Sequence, residues 1–265
     1  MIILDLRILD IYLKGKISSF KGNWSYLIQQ YDKTDLSKIS YHEDYVHKSA
    51  SMIKVLILAA LCDSDIDLTE KIRIDTVPYV EGGGALQEMN GDALLTTHAL
   101  ASLMIVLSDN LATNLLINRV SRENIQSFAG RLDLKHTKLQ RCMMDFAAAE
   151  NGRENYMSVA DYNKLLHYIY TKRNEPRFAQ AWKILARQQF RDRIPYYWDE
   201  EIIFHHKTGM LNGVEHDGGV FEGKNGTYSI IIFASDLPSN ATGGRLIGEL
   251  GMFIFDFLNS DRKRS

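Results

Sequence analysis

Hydrophobic and polar residues follow two patterns along this chain: strand-like alternation near both ends and helical periodicity between them. The strand pattern occurs at residues 24–30, 39–41, 202–207, 216–222 and 228–235. A turn-like run, Asp32-Lys33-Thr34-Asp35, joins the first two strands. Helices are predicted at residues 2–14, 52–62, 97–107, 112–119, 122–129, 159–170 and 178–187, and after Gly243-Gly244.

This order of elements predicts an α+β fold. Strands, then helices, then strands again indicate an antiparallel β-sheet flanked by helices, with the middle of the chain forming an all-helical subdomain. A chain of 265 residues can bury a large core. We expect a single domain over residues 1–265, with an α/β half at about 1–48 and 200–265 and a helical half at about 49–199.

Composition and charge narrow the classes of partner. The chain is 45% hydrophobic and 24% charged, as in ordinary soluble globular proteins. A formal charge of -2 gives no electrostatic argument for nucleic acid. The basic run Arg262-Lys263-Arg264 is interpreted as a solvated chain end, and no segment approaches the length of a transmembrane helix. We therefore expect no nucleic-acid partner. We also expect a monomer, because no sustained heptad pattern or other oligomer signature occurs in the sequence.

Cysteines and histidines do not indicate a metal or a disulfide. Cys62 and Cys142 are the only cysteines, and two cysteines far apart in sequence do not predict a bond. His205-His206 and His216-Asp217 are tempting pairs, but adjacent residues on a strand point to opposite faces. Neither a metal site nor a cofactor is predicted.

Three short motifs carry the candidate chemistry: Ser51-Met52-Ile53-Lys54, Ser108-Asp109-Asn110 and Lys207-Thr208-Gly209. The first is informative by itself, because Lys54 is the only charge in the apolar run 52–62. A segment that is apolar all round is typical of a buried helix. A lysine buried in such a helix loses its hydration, so it needs a compensating partner or a function.

The spacing of Ser51 and Lys54 suits nucleophilic catalysis. Residues i and i+3 of a helix share a face, so the Lys54 amine can reach the Ser51 hydroxyl, which needs a base. Burial and a nearby cation would lower the lysine pKa. Unpaired backbone N–H groups at the helix start suit a developing oxyanion. The alternative is that Ser51 only caps the helix and that Lys54 extends to solvent.

The other two motifs also allow two interpretations each. Ser108-Asp109-Asn110 lies between two apolar helices, either as a turn with a helix cap or as a hydroxyl that relays protons beside an amide that holds a substrate. Lys207-Thr208-Gly209 ends an apolar strand. It is either a strand that runs into a turn, or a cation and a hydroxyl for a carboxylate beside a glycine that lets substrate approach the backbone.

In this order, the three motifs resemble those of the class A β-lactamases and penicillin-binding proteins. The runs SASMIKVLILAAL and KTGMLNGVEHDGGV resemble the nucleophile helix and the last catalytic strand of that family. The spacings between the motifs are also similar. The resemblance covers about residues 20–258 and makes an accidental match of all three motifs improbable.

The resemblance implies a role for each reacting residue. Ser51 is expected to be the acylated nucleophile, and Lys54 to be the base for acylation or to orient one. Ser108 is expected to pass a proton to the leaving nitrogen of an opening lactam. Asp109 is expected to be structural.

The resemblance also implies the substrate contacts. Asn110 is expected to bind the side-chain amide of the substrate. Lys207 and Thr208 are expected to hold its carboxylate, beside Gly209, and Lys207 to lower the pKa of Lys54. The backbone N–H groups of Ser51 and Met210 are expected to form the oxyanion hole.

The chain departs from the class A pattern in one loop. That class has a glutamate, with an asparagine four residues later, that activates the water for deacylation. Counting from Arg141, which resembles the arginine that anchors this loop, the two places fall near Met143 and Ala147. Asp145 is the nearest acid and is the tentative substitute.

Two further acids of this loop, Glu150 and Glu154, are interpreted as solvated charges. If Asp145 cannot replace the glutamate, Ser51 acylates and then hydrolyses slowly. Three hypotheses follow: a serine β-lactamase-like hydrolase, a penicillin-binding DD-peptidase or esterase, and a non-catalytic penicillin-binding sensor domain. The substrate expected for the first two is a small-molecule β-lactam or an acyl-peptide.

Localisation stays open between two alternatives. The resemblance implies a secreted or periplasmic protein. Residues 1–10 are interrupted by Asp5, Arg7 and Asp10, so they are not the apolar core of a signal peptide. Either the protein stays in the cytoplasm, or a signal has been removed from this sequence.

Overall fold

The computed structural model describes residues 6–32 and 38–260. In chain order its elements are α1 (Leu6–Ile17), β1 (Asn23–Gln30), β2 (Lys38–Tyr41), β3 (His47–Lys48), α2 (Ile53–Asp63), β4 (Lys71–Arg73), β5 (Leu94–Thr96), α3 (Thr97–Val106), α4 (Asn110–Val120), α5 (Arg122–Arg131), α6 (Phe146–Glu150), β6 (Tyr156–Met157), α7 (Val159–Thr171), α8 (Pro176–Leu185), β7 (Phe204–Leu211), β8 (Val214–Gly223), β9 (Gly226–Ser235) and α9 (Asn240–Asn259). Short 3-10 turns lie at Ala50–Met52, Ile74–Thr76 and Leu86–Glu88.

The main sheet joins the two ends of the chain. Its strand order is β2-β1-β9-β8-β7, and each neighbouring pair is antiparallel. The central contact pairs β1 with β9 along its whole length, from Asn23 opposite Ser235 to Gln30 opposite Tyr228. The predicted α+β fold with an antiparallel sheet is confirmed.

The sheet separates two hydrophobic cores. On one face, α1 and α9 pack through residues such as Leu9, Leu13 and Ile254. On the other face, Ile231 and Phe233 of β9 join the core of the helical region. This burial of both faces explains why β9 is an almost continuous apolar run rather than an alternating one.

Helix α2 crosses the centre of the helical core. Every residue from Ile53 to Cys62 is buried, and this includes the charged Lys54. The sequence prediction of a helix apolar all round is therefore confirmed. In the described part of the chain, none of the helices is both long enough and apolar enough to cross a bilayer.

Two predicted boundaries are wrong. β7 starts at Phe204 and continues to Leu211, so Lys207-Thr208-Gly209 lies inside the strand rather than at its end, because the pairing with β8 continues to the hairpin turn. α9 begins at Asn240, so Gly243 and Gly244 lie inside the helix. There they allow close packing, since a Cβ on Gly243 would overlap with the side chain of Leu237.

The remaining differences are short elements and chain ends. Sequence patterns did not predict the two- and three-residue strands β3, β4, β5 and β6 or the five-residue helix α6, because such lengths carry too little periodicity. Three predicted features fall wholly or partly outside the described residues: the start of the helix at 2–14, most of the turn Asp32-Lys33-Thr34-Asp35, and the end Arg262-Lys263-Arg264.

The packing of α9 against the segment before β7 generates a first prediction. A Cβ on Gly251 would overlap with the backbone carbonyl of Ile194. We expect Gly251→Ala to lower the free energy of unfolding by about 1–3 kcal/mol, because backbone cannot move aside as a flexible side chain does. The measurement is the midpoint of urea unfolding.

Gly130 provides the matched control. It lies in α5, and a Cβ there meets no atom within 4 Å. Gly130→Ala should raise the free energy of unfolding by about 0.5–1 kcal/mol, since alanine is the better helix former. Equal effects of the two substitutions would contradict the tight contact at Ile194.

Candidate active site

Ser51 lies in a strained 3-10 turn, Ala50–Met52, that connects β3 to α2. Ala50 has a left-handed backbone with φ of 45°, which residues other than glycine rarely adopt. The turn rests on β7, where a Cβ on Gly209 would lie 3.2 Å from the backbone nitrogen of Ser51. Glycine at this position lets the strand and the turn approach closely. Ser51 thus precedes the α-helix, which begins at Ile53, rather than opening it as predicted.

The amine of Lys54 is buried and joins the first motif to the second. Nζ donates to the carbonyl oxygen of Ser108 at 2.5 Å, to Ser108 Oγ at 3.0 Å and to Asn110 Oδ1 at 2.9 Å. The interpretation that Lys54 extends to solvent is therefore wrong. Among the described residues, no hydrogen bond joins Lys54 to Ser51, although the two lie one turn apart. The amine contacts the second motif instead.

Both motif lysines have lowered pKa values. Burial lowers the pKa of Lys54 well below its usual range, and the nearby charge of Lys207 lowers it further, while Asp109 partly opposes this. Burial lowers the pKa of Lys207 to about 7, against the opposing effect of Asp217. The neutral form of each amine is therefore more accessible than that of a lysine in water.

The contact between Lys54 and Ser108 suits proton exchange. A charged ammonium has three hydrogens, which match the three acceptors around Nζ. A neutral amine has only two, and its lone pair can accept from the Ser108 hydroxyl. The same contact can thus carry a proton in either direction.

Asp109 holds the second motif in place. Its side chain caps α4 at the nitrogen of Ala112, at 2.9 Å, and accepts from the backbone nitrogens of Ala85 and Leu86 at 2.7 and 2.8 Å. Ser108 before it is left-handed, with φ of 55°. Asp109 is buried and therefore has the structural role expected of it.

The candidate substrate-binding residues lie on two elements. Asn110 begins α4, and its backbone nitrogen donates to Gly83 at 3.1 Å. On β7, Nζ of Lys207 donates to the carbonyl of Thr208 at 2.8 Å. The side chain of Met210 is 62% exposed, and its sulfur accepts from Arg193 Nη2 at 3.9 Å. The structure therefore places the Ser51 turn beside β7 and the Lys54 amine beside the second motif.

The loop that follows α5 is closed by a buried ion pair. Nε of Arg141 lies 2.7 Å from Oε1 of Glu154, and both side chains are less than 10% exposed. Glu154 also accepts from the backbone nitrogen of Asn155 at 2.8 Å. The interpretation of Glu154 as a solvated charge is therefore wrong. Its neighbours in sequence are polar, and nothing among them indicates a partner thirteen residues away. Glu150 is exposed, as interpreted.

Asn114 fixes this loop to the second motif. Its side chain accepts from the nitrogen of Met143 at 2.8 Å and donates to the oxygen of Met143 at 3.2 Å. Sequence reasoning missed Asn114. The available signal was its position four residues after Asn110, on the same face of α4.

Asp145 has a different environment from the motif residues. One of its oxygens caps α6 by accepting from the nitrogen of Ala148 at 3.0 Å, and the residue is exposed. It lines a cavity of about 530 Å³ together with Asn114, Arg122 and Met143, which Ser51 and Lys54 do not line. Its role as a base therefore stays a prediction.

Across 6–32 and 38–260, no group of three or more histidine, cysteine, aspartate or glutamate side chains is placed to hold a metal ion. Cys62 and Cys142 are both free thiols. His205 and His206 contact different partners, the carbonyl of Trp182 and the carboxylate of Asp217.

Comparison with known proteins identifies the relatives of this chain. The sequence matches the model of the Beta-lactamase enzyme family over residues 8–258. No curated protein matches it significantly. A solved beta-lactamase from Sphaerobacter thermophilus DSM 20745 is similar, with a TM-score of 0.81 and 24% identity over 95% of this chain and 97% of that one.

Two further solved structures share the fold. PBP-A has a TM-score of 0.83 and 21% identity over 95% of this chain and 96% of its own, and a variant of PBP-A is an acyl-enzyme complex with penicillin G. A beta-lactamase from Chitinophaga pinensis DSM 2588 has a TM-score of 0.86 and 17% identity over 95% of this chain and 100% of that one. These likenesses show the β-lactamase/transpeptidase fold.

The buried ion pair of the loop generates a second prediction. We expect Glu154→Leu to lower the free energy of unfolding by about 3–5 kcal/mol, because it leaves the buried Arg141 guanidinium without its carboxylate. The control is Glu150→Leu at an exposed site of the same loop, with an expected change within about 0.5 kcal/mol. Urea unfolding measures both. A Glu154→Leu variant as stable as its control would show that the pair does not hold the loop.

Proposed function

The chain belongs to the β-lactamase enzyme family, and from that membership we propose that it is a serine hydrolase that opens the β-lactam amide through an acyl-enzyme on Ser51. The observation that carries this proposal is the buried amine of Lys54, within hydrogen-bond distance of Ser108 and Asn110 and lowered in pKa. A buried lysine amine with lowered pKa, one turn from a serine, has the properties of a general base.

Acylation would proceed by transfer of one proton around these residues. Ser51 Oγ attacks the lactam carbonyl carbon while its proton passes to the neutral amine of Lys54. The bond between that carbon and the lactam nitrogen then breaks, and the nitrogen takes the hydroxyl proton of Ser108. Lys54 returns its extra proton to Ser108 through their 3.0 Å contact. The amine is then neutral again, and the acyl group stays on Ser51.

The remaining groups would bind and polarise the substrate. The backbone N–H groups of Ser51 and Met210 are the proposed oxyanion hole, and the close approach at Gly209 supports their convergence. Lys207 and Thr208 would hold the substrate carboxylate. An anion beside Lys207 favours its charged form, which offsets the effect of burial on its pKa.

Release of the acyl group is proposed to be slow. The place expected for a deacylating glutamate falls at Met143, whose backbone is held by Asn114 and whose side chain carries no base. Asp145 caps a helix. This observation also supports the second candidate, a penicillin-binding DD-peptidase or esterase that acts on acyl-peptides. A non-catalytic sensor domain would keep the fold without turnover.

The central assignment is tested at Ser51. Intact-protein mass spectrometry after mixing with benzylpenicillin, sampled from seconds to hours, should show an adduct of one benzylpenicillin that persists. Ser51→Ala should show none, because the attacking oxygen is absent. Ser19→Ala, which removes an exposed hydroxyl at the end of α1, is the control and should acylate normally.

The outcomes of this experiment separate the hypotheses. An adduct on Ser51→Ala would refute the assignment of the nucleophile. A transient adduct with free hydrolysed product would indicate an efficient β-lactamase. No adduct on the folded wild-type protein would leave a hydrolase of another substrate class or a non-catalytic domain.

The substitution Asp145→Asn distinguishes the helix-capping role of Asp145 from a role as the base for deacylation. Asparagine caps helices about as well as aspartate, so stability should change by less than about 0.5 kcal/mol. We expect the lifetime of the penicillin adduct to change by less than about twofold, because the Asp145 side chain already caps α6 through its bond with the Ala148 nitrogen. An adduct lifetime at least tenfold longer than that of the wild type would instead identify Asp145 as the base for deacylation.

A further inference from the structure

Two buried histidines hold the segment that leads into Ser51. Nε2 of His216, on β8, lies 2.9 Å from the carbonyl oxygen of Lys48. The ring of His47 lies between two serine hydroxyls, with Nε2 2.9 Å from Ser25 Oγ and Nδ1 2.9 Å from Ser235 Oγ. Strand β3 is therefore fixed to three strands of the main sheet through side chains, just before the turn that carries the candidate nucleophile.

The surroundings of His216 select one tautomer. The backbone nitrogen of Ala234 donates to Nδ1 at 3.2 Å, so Nδ1 acts as an acceptor. The ring hydrogen then lies on Nε2 and is donated to Lys48. With the hydrogen on Nδ1, the ring would donate to the carbonyl of Glu215 at 2.8 Å and turn lone pairs away from Ala234 and toward the Lys48 oxygen. The Nε2–H form is favoured because it satisfies both Lys48 and Ala234, whereas the Nδ1–H form satisfies Glu215 alone.

His216 also lies beside the turn through its backbone. It is the β8 partner of Gly209, the residue that packs against the Ser51 nitrogen. Its ring stacks on Phe233 with centroids 4.3 Å apart, which fixes the ring plane. His216 therefore pairs with β7 beside the turn and also bonds to Lys48, which lies three residues before the candidate nucleophile.

The turn needs such a restraint. Ala50 has a φ of 45°, a left-handed conformation that persists only where the surroundings enforce it. Besides the contact with Gly209 of β7, hydrogen bonds hold Lys48 and Ser49, the two residues before Ala50. The Ser49 nitrogen donates to Asn155 at 2.8 Å, and the Lys48 oxygen accepts from His216.

We propose that His216 is a positioning residue for acylation, whose Nε2–H bond to Lys48 holds the strained Ala50–Met52 turn in the geometry that Ser51 needs for attack. The inference rests on the proposed function, because attack by Ser51 is the step that it supports. His216 itself touches neither substrate nor the reacting atoms.

Protonation of the buried His216 ring lowers folding stability in acid. Burial lowers the pKa of His216 to about 4. The facing groups are the ring of His47, 5.4 Å away on β3, and Phe233 on β9, while the carboxylate of Glu215 pairs with Arg193 at 2.6 Å. Protonation puts a hydrogen on Nδ1, which can then no longer accept from the Ala234 N–H, whereas Nε2–H still donates to Lys48. Because the unfolded chain binds this proton near pH 6.5, His216 makes folding stability fall as pH drops from about 6.5 to 4.

Two substitutions separate the hydrogen bonds from the ring. His216→Gln retains a donor for Lys48 and an acceptor for Ala234, whereas His216→Phe retains the aromatic stack and loses both. We expect His216→Phe to lower the acylation rate constant for benzylpenicillin by about 10- to 100-fold, because small displacements of a nucleophile have large effects on rate. The apparent binding constant should change by less than about threefold, and His216→Gln should recover most of the rate.

A control variant completes the kinetic test. His205→Phe is the control, because His205 stacks on Trp182 at 3.8 Å, away from the turn. It should acylate at the wild-type rate. Acylation by His216→Phe at the wild-type rate, or an equal loss in the Gln variant, would overturn the proposal.

A structural readout keeps the proposal testable without turnover. Long-range ¹H–¹⁵N NMR of the unliganded wild-type protein should show His216 neutral, with the hydrogen on Nε2, between pH 6 and 8. The amides of residues 50–52 should exchange at least tenfold faster in His216→Phe than in the wild type. If the wild type forms no penicillin adduct but both NMR results hold, the proposed function fails and the tether stands. The Nδ1–H tautomer would refute the tether, even if His216→Phe does not fold.

Discussion

Burial of the Lys54 amine is the constraint on which the arrangement of the site depends. An amine removed from water must find acceptors, and α2 has no free ones inside the core. The acceptors come from Ser108 and Asn110, so the loop between α3 and α4 must reach α2. Asp109 holds that loop in the required shape. Because the desolvated Lys54 amine needs these hydrogen bonds, α2, α3 and α4 are fixed relative to one another.

The Ser51 turn and the loop after α5 are held largely by different contacts. The Ser51 turn is held by β7, β8 and the segment before it, whereas the loop from Arg141 to Asn155 is closed by its own ion pair and fastened to α4 through Asn114. The two parts also meet, because the Ser49 nitrogen donates to the carbonyl oxygen of Asn155 at 2.8 Å.

The long helices and strands could be predicted from the sequence, and the three motifs could be recognised in it. The ion pairs and hydrogen bonds between residues distant in sequence could not. The run 52–62 predicts a buried helix without ambiguity, because every residue in it except Lys54 is apolar. Glu154 looked solvated because its partner, Arg141, lies across a loop with no periodicity. His216 looked like half of a weak metal pair, since nothing local indicates that its ring reaches Lys48. The roles assigned to the motif residues remain predictions for experiment.

The pairing of β1 with β9 has a consequence for biosynthesis. The first strand of the chain emerges from the ribosome long before the strand that lies beside it in the sheet. Until β7, β8 and β9 follow, β1 exposes an unpaired edge, the Ser51 turn has no strand to rest on, and α2 has no complete core around it. Contacts so distant in sequence form slowly. The nascent protein is therefore most exposed to aggregation and to chaperones during this interval, and it acquires its site only after β7, β8 and β9 have been synthesised.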